Sequence, residues 1–213
     1  LEFHMVRLFI ILLAFVTAQS MAVNKTSDQQ SVDKIFAIWG KKDSPGAGLG
    51  VFKDGKVVYA RGYGLANLEY DIPNDENSVF RIGSTSKQFT AACIILLNQQ
   101  GKLKLTDTLD FYFPEFPEYA KKITVQHLLN HTSGVRDYLT LASLKWLGDD
   151  DFYQDKDVEQ RLAAQQALNF EPGDEDIYSN SGYWLLGQIV LKASGMNMAE
   201  YAEKEIFKIC IFL

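Results

Sequence analysis

Cysteine is scarce in this 213-residue chain. There are two, Cys93 and Cys210, and no C-x-x-C pair. That argues against a disulfide framework and a thiolate metal site as organising devices. Cys93 falls on the apolar face of a helical pattern and reads as a buried free thiol. Basic clusters are missing too: the net charge is −6, which argues against a nucleic-acid partner. The most apolar stretch, residues 8–16, is far shorter than the roughly 20 residues that span a bilayer. There is no internal repeat and no low-complexity linker. What is present is 47% hydrophobic and 13% aromatic residues, enough for a globular chain with a sizeable core.

Residues 1–4 precede Met5 and read as a cloning-derived leader, to be set aside from fold reasoning. Residues 5–22 carry a positive start at Arg7, the apolar run 8–16, and then the small residues Ala18, Ser20 and Ala22. This is the layout of a secretory signal peptide. The expectation is an exported protein, secreted or periplasmic, with no stable membrane span after cleavage. The rival reading, an uncleaved anchor, is disfavoured by the short apolar run.

The chain is organised around Phe80-Arg81-Ile82-Gly83-Ser84-Thr85-Ser86-Lys87. After Gly83 a helical pattern begins, with Phe89, Ala92, Cys93, Leu96 and Leu97 on one face and Gly101 placed as the cap. Ser84 therefore sits at the start of a buried helix, with Lys87 one turn on and on the same face. The free N–H groups and the positive end of the helix dipole point at the same spot. A serine hydroxyl needs a base within hydrogen-bond reach to become a nucleophile. A lysine serves if its surroundings lower its pKa. The S-x-x-K pattern alone does not discriminate, because Ser31-Val32-Asp33-Lys34 also fits it. Ser31 lies in a polar run with no strand or glycine turn before it and reads as a surface helix start.

Residues 32–39 suggest a short helix, and 48–52 and 57–61 two strands joined by Asp54-Gly55, a strong type I′ hairpin signal. Residues 62–77 read as loop, and 78–82 as an extended approach to Ser84. Residues 102–117, with Pro114 and Pro117, read as a connector rather than core helix. Helices are expected over 125–129, 139–147, 158–168 and 183–193, with another starting at Ala199. Asp149-Asp150-Asp151 reads as a solvated loop, and Pro172-Gly173 as a break. His127 and His131 stand four apart, a metal-ligand spacing on a helix. No glutamate follows His127, and the remaining histidine, His4, lies in the leader. Capping or core packing is the expectation for both, with no metal and no cofactor.

Four stretches in order carry a family resemblance. The run from Phe80 through Ala91 is similar to the nucleophile helix of the serine β-lactamase and penicillin-binding-protein superfamily. More narrowly, it resembles the branch containing class C β-lactamases, D-Ala-D-Ala carboxypeptidases and family VIII esterases. Residues 101–116 resemble the segment after that helix. His127-Leu128-Leu129-Asn130-His131-Thr132-Ser133-Gly134-Val135 resembles the family's LLxHTSG stretch. Glu171-Pro172-Gly173 through Tyr178-Ser179-Asn180-Ser181-Gly182-Tyr183 resembles the Y-x-N motif and its flanks. The resemblance implies an acyl-enzyme on Ser84, a proton network held by Lys87, Tyr178 as general base and acid, and Asn180 on the Lys87 side or on the substrate amide.

The implied fold is α/β (α+β) and β-lactamase/transpeptidase-like: an antiparallel sheet flanked by helices plus an all-helical domain. Residues 32–83 would form the N-terminal part of the α/β domain, and 84–207 a mostly helical domain carrying S-x-x-K and Y-x-N. The family's third motif, K-T-G or H-x-G, does not follow Tyr178, and residues 208–213 leave the family pattern. The expectation is therefore a C-terminally truncated reading that misses part of the sheet. In function it is an exported serine hydrolase acting on a β-lactam, a D-Ala-D-Ala peptide or a short ester. The alternatives are a penicillin-recognising module that does not turn over, or an inactive fragment.

Overall fold

The computed structural model describes residues 27–144 and 154–209. The expected leader and signal peptide, Asp149-Asp150-Asp151, the end of the expected 139–147 helix and residues 210–213 of the tail lie outside the described residues. The chain divides into two compact units between Phe80 and Arg81.

In the first unit, helix α1 (Ser27–Ile35) runs into a 3-10 turn (Phe36–Trp39). The expected start at residue 32 is corrected. The helix begins at Ser27, so Ser31 lies inside it rather than at its head. Strands β1 (Ala47–Lys53) and β2 (Lys56–Tyr63) form an antiparallel hairpin, closing on Lys53 opposite Lys56. Asp54 and Gly55 both take positive φ, 51° and 74°, which is the backbone a type I′ turn demands. Asp33 ties α1 to the hairpin. Tyr59 and Tyr63 donate to its Oδ1 at 2.7 and 2.9 Å, and Arg61 pairs with its Oδ2. Burial, with the hydrogen bonds to Tyr59 and Asp33, raises the Tyr63 phenol pKa, so this cluster keeps its proton. The stretch 62–77, expected to be loop, carries a second small antiparallel pair, β3 (Leu65–Asn67) with β4 (Ile72–Pro73). The two short strands are too brief to show an alternating pattern.

The second unit is helical. A 3-10 turn (Gly83–Ser86) leads into α2 (Lys87–Gln99), followed by α3 (Leu109–Tyr112), a 3-10 turn (Glu118–Lys122), α4 (Val125–Leu129), α5 (Tyr138–Ser143), α6 (Asp155–Ala163), α7 (Asn180–Ser194) and α8 (Met198–Ala202), with a π-type turn (Glu203–Phe207) at its end. Gly101 and Gly195 take the left-handed conformation expected of helix-ending glycines. The core lies where Cys93, Ile94 and Leu97 of α2 meet Leu185, Leu186, Ile189 and Val190 of α7, all fully buried. Each such side chain contributes about 1.5–3 kcal/mol of transfer free energy. Burial pushes the Cys93 thiol up to about 11, the Glu205 charge adding to it, so the thiol stays protonated and unreactive.

The connector expectation for 102–117 is corrected. Leu103, Leu109, Tyr112, Phe113 and Phe116 all belong to the buried core. Its prolines and short turns hide a segment whose apolar residues pack even though its helix is a single turn. The helix expected over 158–168 runs from Asp155 to Ala163. Gln154 and Asp157 close a capping box at its start, which places the helix earlier than apolar spacing alone suggests. Among the described residues, no helix is long and apolar enough to cross a membrane.

Because α2 and α7 meet through fully buried aliphatic side chains, Leu186→Ala should cost about 2–5 kcal/mol of stability. The urea midpoint of the purified chain measures this. A change within experimental error would show that the α2–α7 contact is not the core of this unit.

Candidate active site

Ser84 lies on the 3-10 turn, Lys87 opens α2, Tyr178 ends the loop after Gly173, and Asn180 opens α7. The structure brings all four together. Tyr178 donates to Ser84 Oγ at 2.7 Å, Lys87 Nζ donates to Ser84 Oγ at 3.2 Å, and Lys87 Nζ donates to Asn180 Oδ1 at 2.9 Å. The ammonium also stands over two aromatic faces, 4.8 Å from the Tyr178 ring centre and 5.6 Å from that of Tyr183. These are distances at which ring quadrupoles attract a cation. Ser84 and Tyr178 are exposed, while Lys87 and Asn180 are half-buried. A nucleophile open to solvent, backed by a fixed cation, can be approached by a carbonyl compound from outside.

The Lys87 ammonium hydrogen bonding toward the phenol, and the Ser84 hydroxyl after it, hold the Tyr178 pKa below the ordinary tyrosine value. Burial and the Asp137 carboxylate push the other way. A cation and a hydroxyl donor stabilise the phenolate, the form that can accept the Ser84 proton.

Why Tyr178 and Asn180 sit where they do follows from a seam between residues 131–138 and 177–181. Ile177 N–H donates to the His131 carbonyl at 3.1 Å, and Ser179 N–H to His131 Nδ1 at 3.2 Å. The Ser179 hydroxyl donates to the Val135 carbonyl and accepts from Gly182 N–H, capping α7. Asn180 N–H donates to Asp137 Oδ2. The Ser181 hydroxyl donates to the Arg136 carbonyl at 2.8 Å and accepts from Tyr138 N–H at 2.7 Å. Asp137 also caps α5 through Oδ1, accepting from Leu139 and Thr140 N–H. Gly134 makes the turn possible. Its φ is +70°, and a Cβ there would run into the Phe170 carbonyl.

Two members of this arrangement escaped sequence reasoning. Asp137 carries the signal of an N-cap aspartate ahead of an apolar run, but nothing local says that its second oxygen reaches Asn180. His131 was expected only to cap or pack. Its ring does pack, 4.7 Å from Tyr178 and 5.1 Å from Tyr183. His127 caps as expected: its N–H donates to Thr124 Oγ1 and its Nδ1 accepts from Thr124 N–H. No group of three or more metal-ligating side chains occurs among the described residues. A cavity of about 380 Å³ opens beside Tyr178, lined by Leu141, Leu144 and Ile177 with Thr140 and Asn169.

Comparison with known proteins adds four findings. The Beta-lactamase family model matches residues 30–209. A penicillin-binding protein of Bacillus subtilis is 33% identical over 86% of this chain and 40% of its own length. A D-aminopeptidase of Gluconobacter oxydans is 29% identical over 81% of this chain and 32% of its own. Among solved structures, the octameric penicillin-binding protein homologue from Pyrococcus abyssi superposes with a TM-score of 0.64 at 30% identity, covering 86% of this chain and 43% of that one. The chain thus spans under half the length of these relatives.

Replacing Lys87 with Met removes the cation at the phenol and should raise the Tyr178 pKa toward the ordinary tyrosine value. Titration of ring-labelled tyrosine by NMR, with Tyr178→Phe to assign the signal, reads this directly. An unchanged or lower Tyr178 midpoint in the Lys87→Met chain would contradict the electrostatic account of the site.

Proposed function

The chain belongs to the Beta-lactamase family, with its β-lactamase/transpeptidase-like fold, and from that premise we propose that it is an exported serine hydrolase working through an acyl-enzyme on Ser84. The observation that carries this reading is the Tyr178 hydroxyl 2.7 Å from Ser84 Oγ, with Lys87 Nζ 3.2 Å away on the same oxygen. Export is inferred from the leader pattern of residues 5–22 alone.

In the proposed chemistry Ser84 Oγ attacks a carbonyl carbon while its proton passes to the Tyr178 phenolate. The lysine ammonium keeps that phenolate accessible. Collapse of the tetrahedral adduct expels the leaving group, which takes the proton back from Tyr178. An ester then joins Ser84 to the acyl part. Water, deprotonated along the same path, releases the acid and restores Ser84. Asn180 fixes the Lys87 side chain and so the direction of proton transfer. One oxyanion donor would be the N–H of Ser84 itself.

The substrate proposed is a β-lactam, a D-Ala-D-Ala-type peptide or a short ester. Two of the matched relatives are described as a penicillin-binding protein and a D-aminopeptidase, which supports an amide carbonyl as the target. The cavity beside Tyr178, with aliphatic Leu141, Leu144 and Ile177 on its walls together with Arg136 and Asp137, suits a small group with both apolar and polar parts next to the scissile bond.

Incubation with a fluorescent penicillin and with an activated ester, followed by intact-mass measurement, tests the reading. One acyl adduct should form and map to Ser84, and Ser84→Ala should carry none. An adduct that survives in Ser84→Ala overturns the assignment. An adduct that forms and never turns over favours a recognition module instead. Lys87→Ala and Tyr178→Phe should each slow acylation by about 100- to 10,000-fold, the range for a lost acid–base group.

A further inference from the structure

His131 holds Tyr178 by three contacts. Its backbone carbonyl accepts from the N–H of Ile177, the residue before Tyr178, and its Nδ1 accepts from the N–H of Ser179, the residue after. Its ring packs on the Tyr178 ring, centroids 4.7 Å apart and planes tilted by 37°, and on the Tyr183 ring at 5.1 Å. The backbone at His131 is left-handed, φ +61°, a conformation uncommon for a non-glycine residue and tolerated where surrounding bonds fix it. Two local bonds, His131 N–H to the Leu128 carbonyl and Thr132 N–H to the His127 carbonyl, close α4 on this left-handed residue. The bonds flanking Tyr178 start from the residue so placed.

We propose that His131 is a positioning residue for the acylation chemistry and that only its neutral imidazole, protonated at Nε2, holds Tyr178 against Ser84. The proposal rests on the serine-hydrolase reading for its consequence in rate, but not for its geometry. An acceptor at Nδ1 must be bare, so the neutral ring carries its proton on Nε2. Protonating Nδ1 turns the acceptor into a donor facing the Ser179 N–H, and the bond is replaced by a clash of two donors. It also sets a second cation beside the Lys87 ammonium. The titratable groups facing the ring are Lys87 from α2, Tyr178 from the loop and Tyr183 from α7. The nearest carboxylate in the seam, Asp137, already accepts from Asn180, Leu139 and Thr140.

Burial, and then the Lys87 charge, lower the His131 pKa below the ordinary imidazole value. Folding therefore favours the neutral ring. The bond to Ser179 is intact above about pH 6.5, the unperturbed value, and is lost as pH falls through the lowered one. Release of the Ser179 amide lets Tyr178 drift from Ser84, and displacements of that kind cost about a hundredfold in rate.

The test uses the full chain labelled with ¹⁵N-histidine. The sequence holds three histidines, and single Asn variants assign them. His131 should show the Nε2–H tautomer and a midpoint below that of a free imidazole. The Ser179 and Ile177 amide signals should shift with the same midpoint. A ring protonated at Nδ1, or a Ser179 amide indifferent to the His131 titration, overturns the proposal. In the acylation assay, His131→Phe keeps a ring but loses the acceptor. It should slow acylation by about tenfold to a hundredfold, with the affinity for the probe unchanged. His131→Asn places an amide oxygen at the Nδ1 position and tolerates the left-handed backbone. It should recover most of that loss and remove from the rate profile the inflection at the His131 midpoint, leaving the fall set by Tyr178 ionisation. Equal losses in the two variants, or an inflection at that midpoint retained in His131→Asn, also overturn it. Should the parent chain form no adduct on Ser84, the hydrolase reading fails, while the histidine signals still decide whether the clamp exists.

Discussion

A single cation holds the site together. The Lys87 ammonium donates to Ser84 Oγ and Asn180 Oδ1 and lies over the faces of Tyr178 and Tyr183. A half-buried charge is costly unless its neighbours compensate it, and here hydroxyl, amide and two aromatic rings do so, with no carboxylate paired to the nitrogen among the described residues. The absence of a formal counter-charge among these bonded partners matters chemically, because a carboxylate there would drain the lysine's effect on the phenol. What remains is directed at Tyr178, whose phenol is correspondingly easier to ionise.

The rest of the helical unit serves to put that cation in place. Lys87 is the first residue of α2 and Asn180 the first of α7, so the distance between the two helix starts sets the Lys87–Asn180 bond. Packing of Cys93, Ile94 and Leu97 on Leu185, Leu186, Ile189 and Val190 fixes that distance. The seam of hydrogen bonds between residues 131–138 and 177–181 then fixes Tyr178 with respect to Asn180. Core and seam divide the work: aliphatic burial sets the spacing of the helices, and directional bonds set the aim of the side chains.

Of the four side chains at the centre, Ser84 and Lys87 were legible from S-x-x-K after Gly83 at a helix start, whereas Tyr178 and Asn180 were legible only through the family resemblance of the stretch after Pro172-Gly173. The hairpin was legible from Asp54-Gly55. Asp137 and His131 were not readable as part of the site, because their side chains there accept hydrogen bonds from residues 43 and 48 positions away, and no local pattern encodes that. The segment around Leu109 and Phe113 was misread as a connector for a related reason. Its burial comes from tertiary packing, while its prolines and one-turn helix carry the local signature of a loop. The β3–β4 pair was missed because two and three residues are too few to reveal a period.

The central claim is that Lys87 and Tyr178 act as one unit on the Ser84 proton. The most direct measurement is a double-mutant cycle on the acylation rate of Ser84, comparing the parent with Lys87→Met, Tyr178→Phe and the pair. The account predicts that the double variant is no slower than the slower single variant, because removing either residue already disables the shared proton path. Losses that multiply in the double variant would mean that the two residues act independently, and would contradict a site built around one cation.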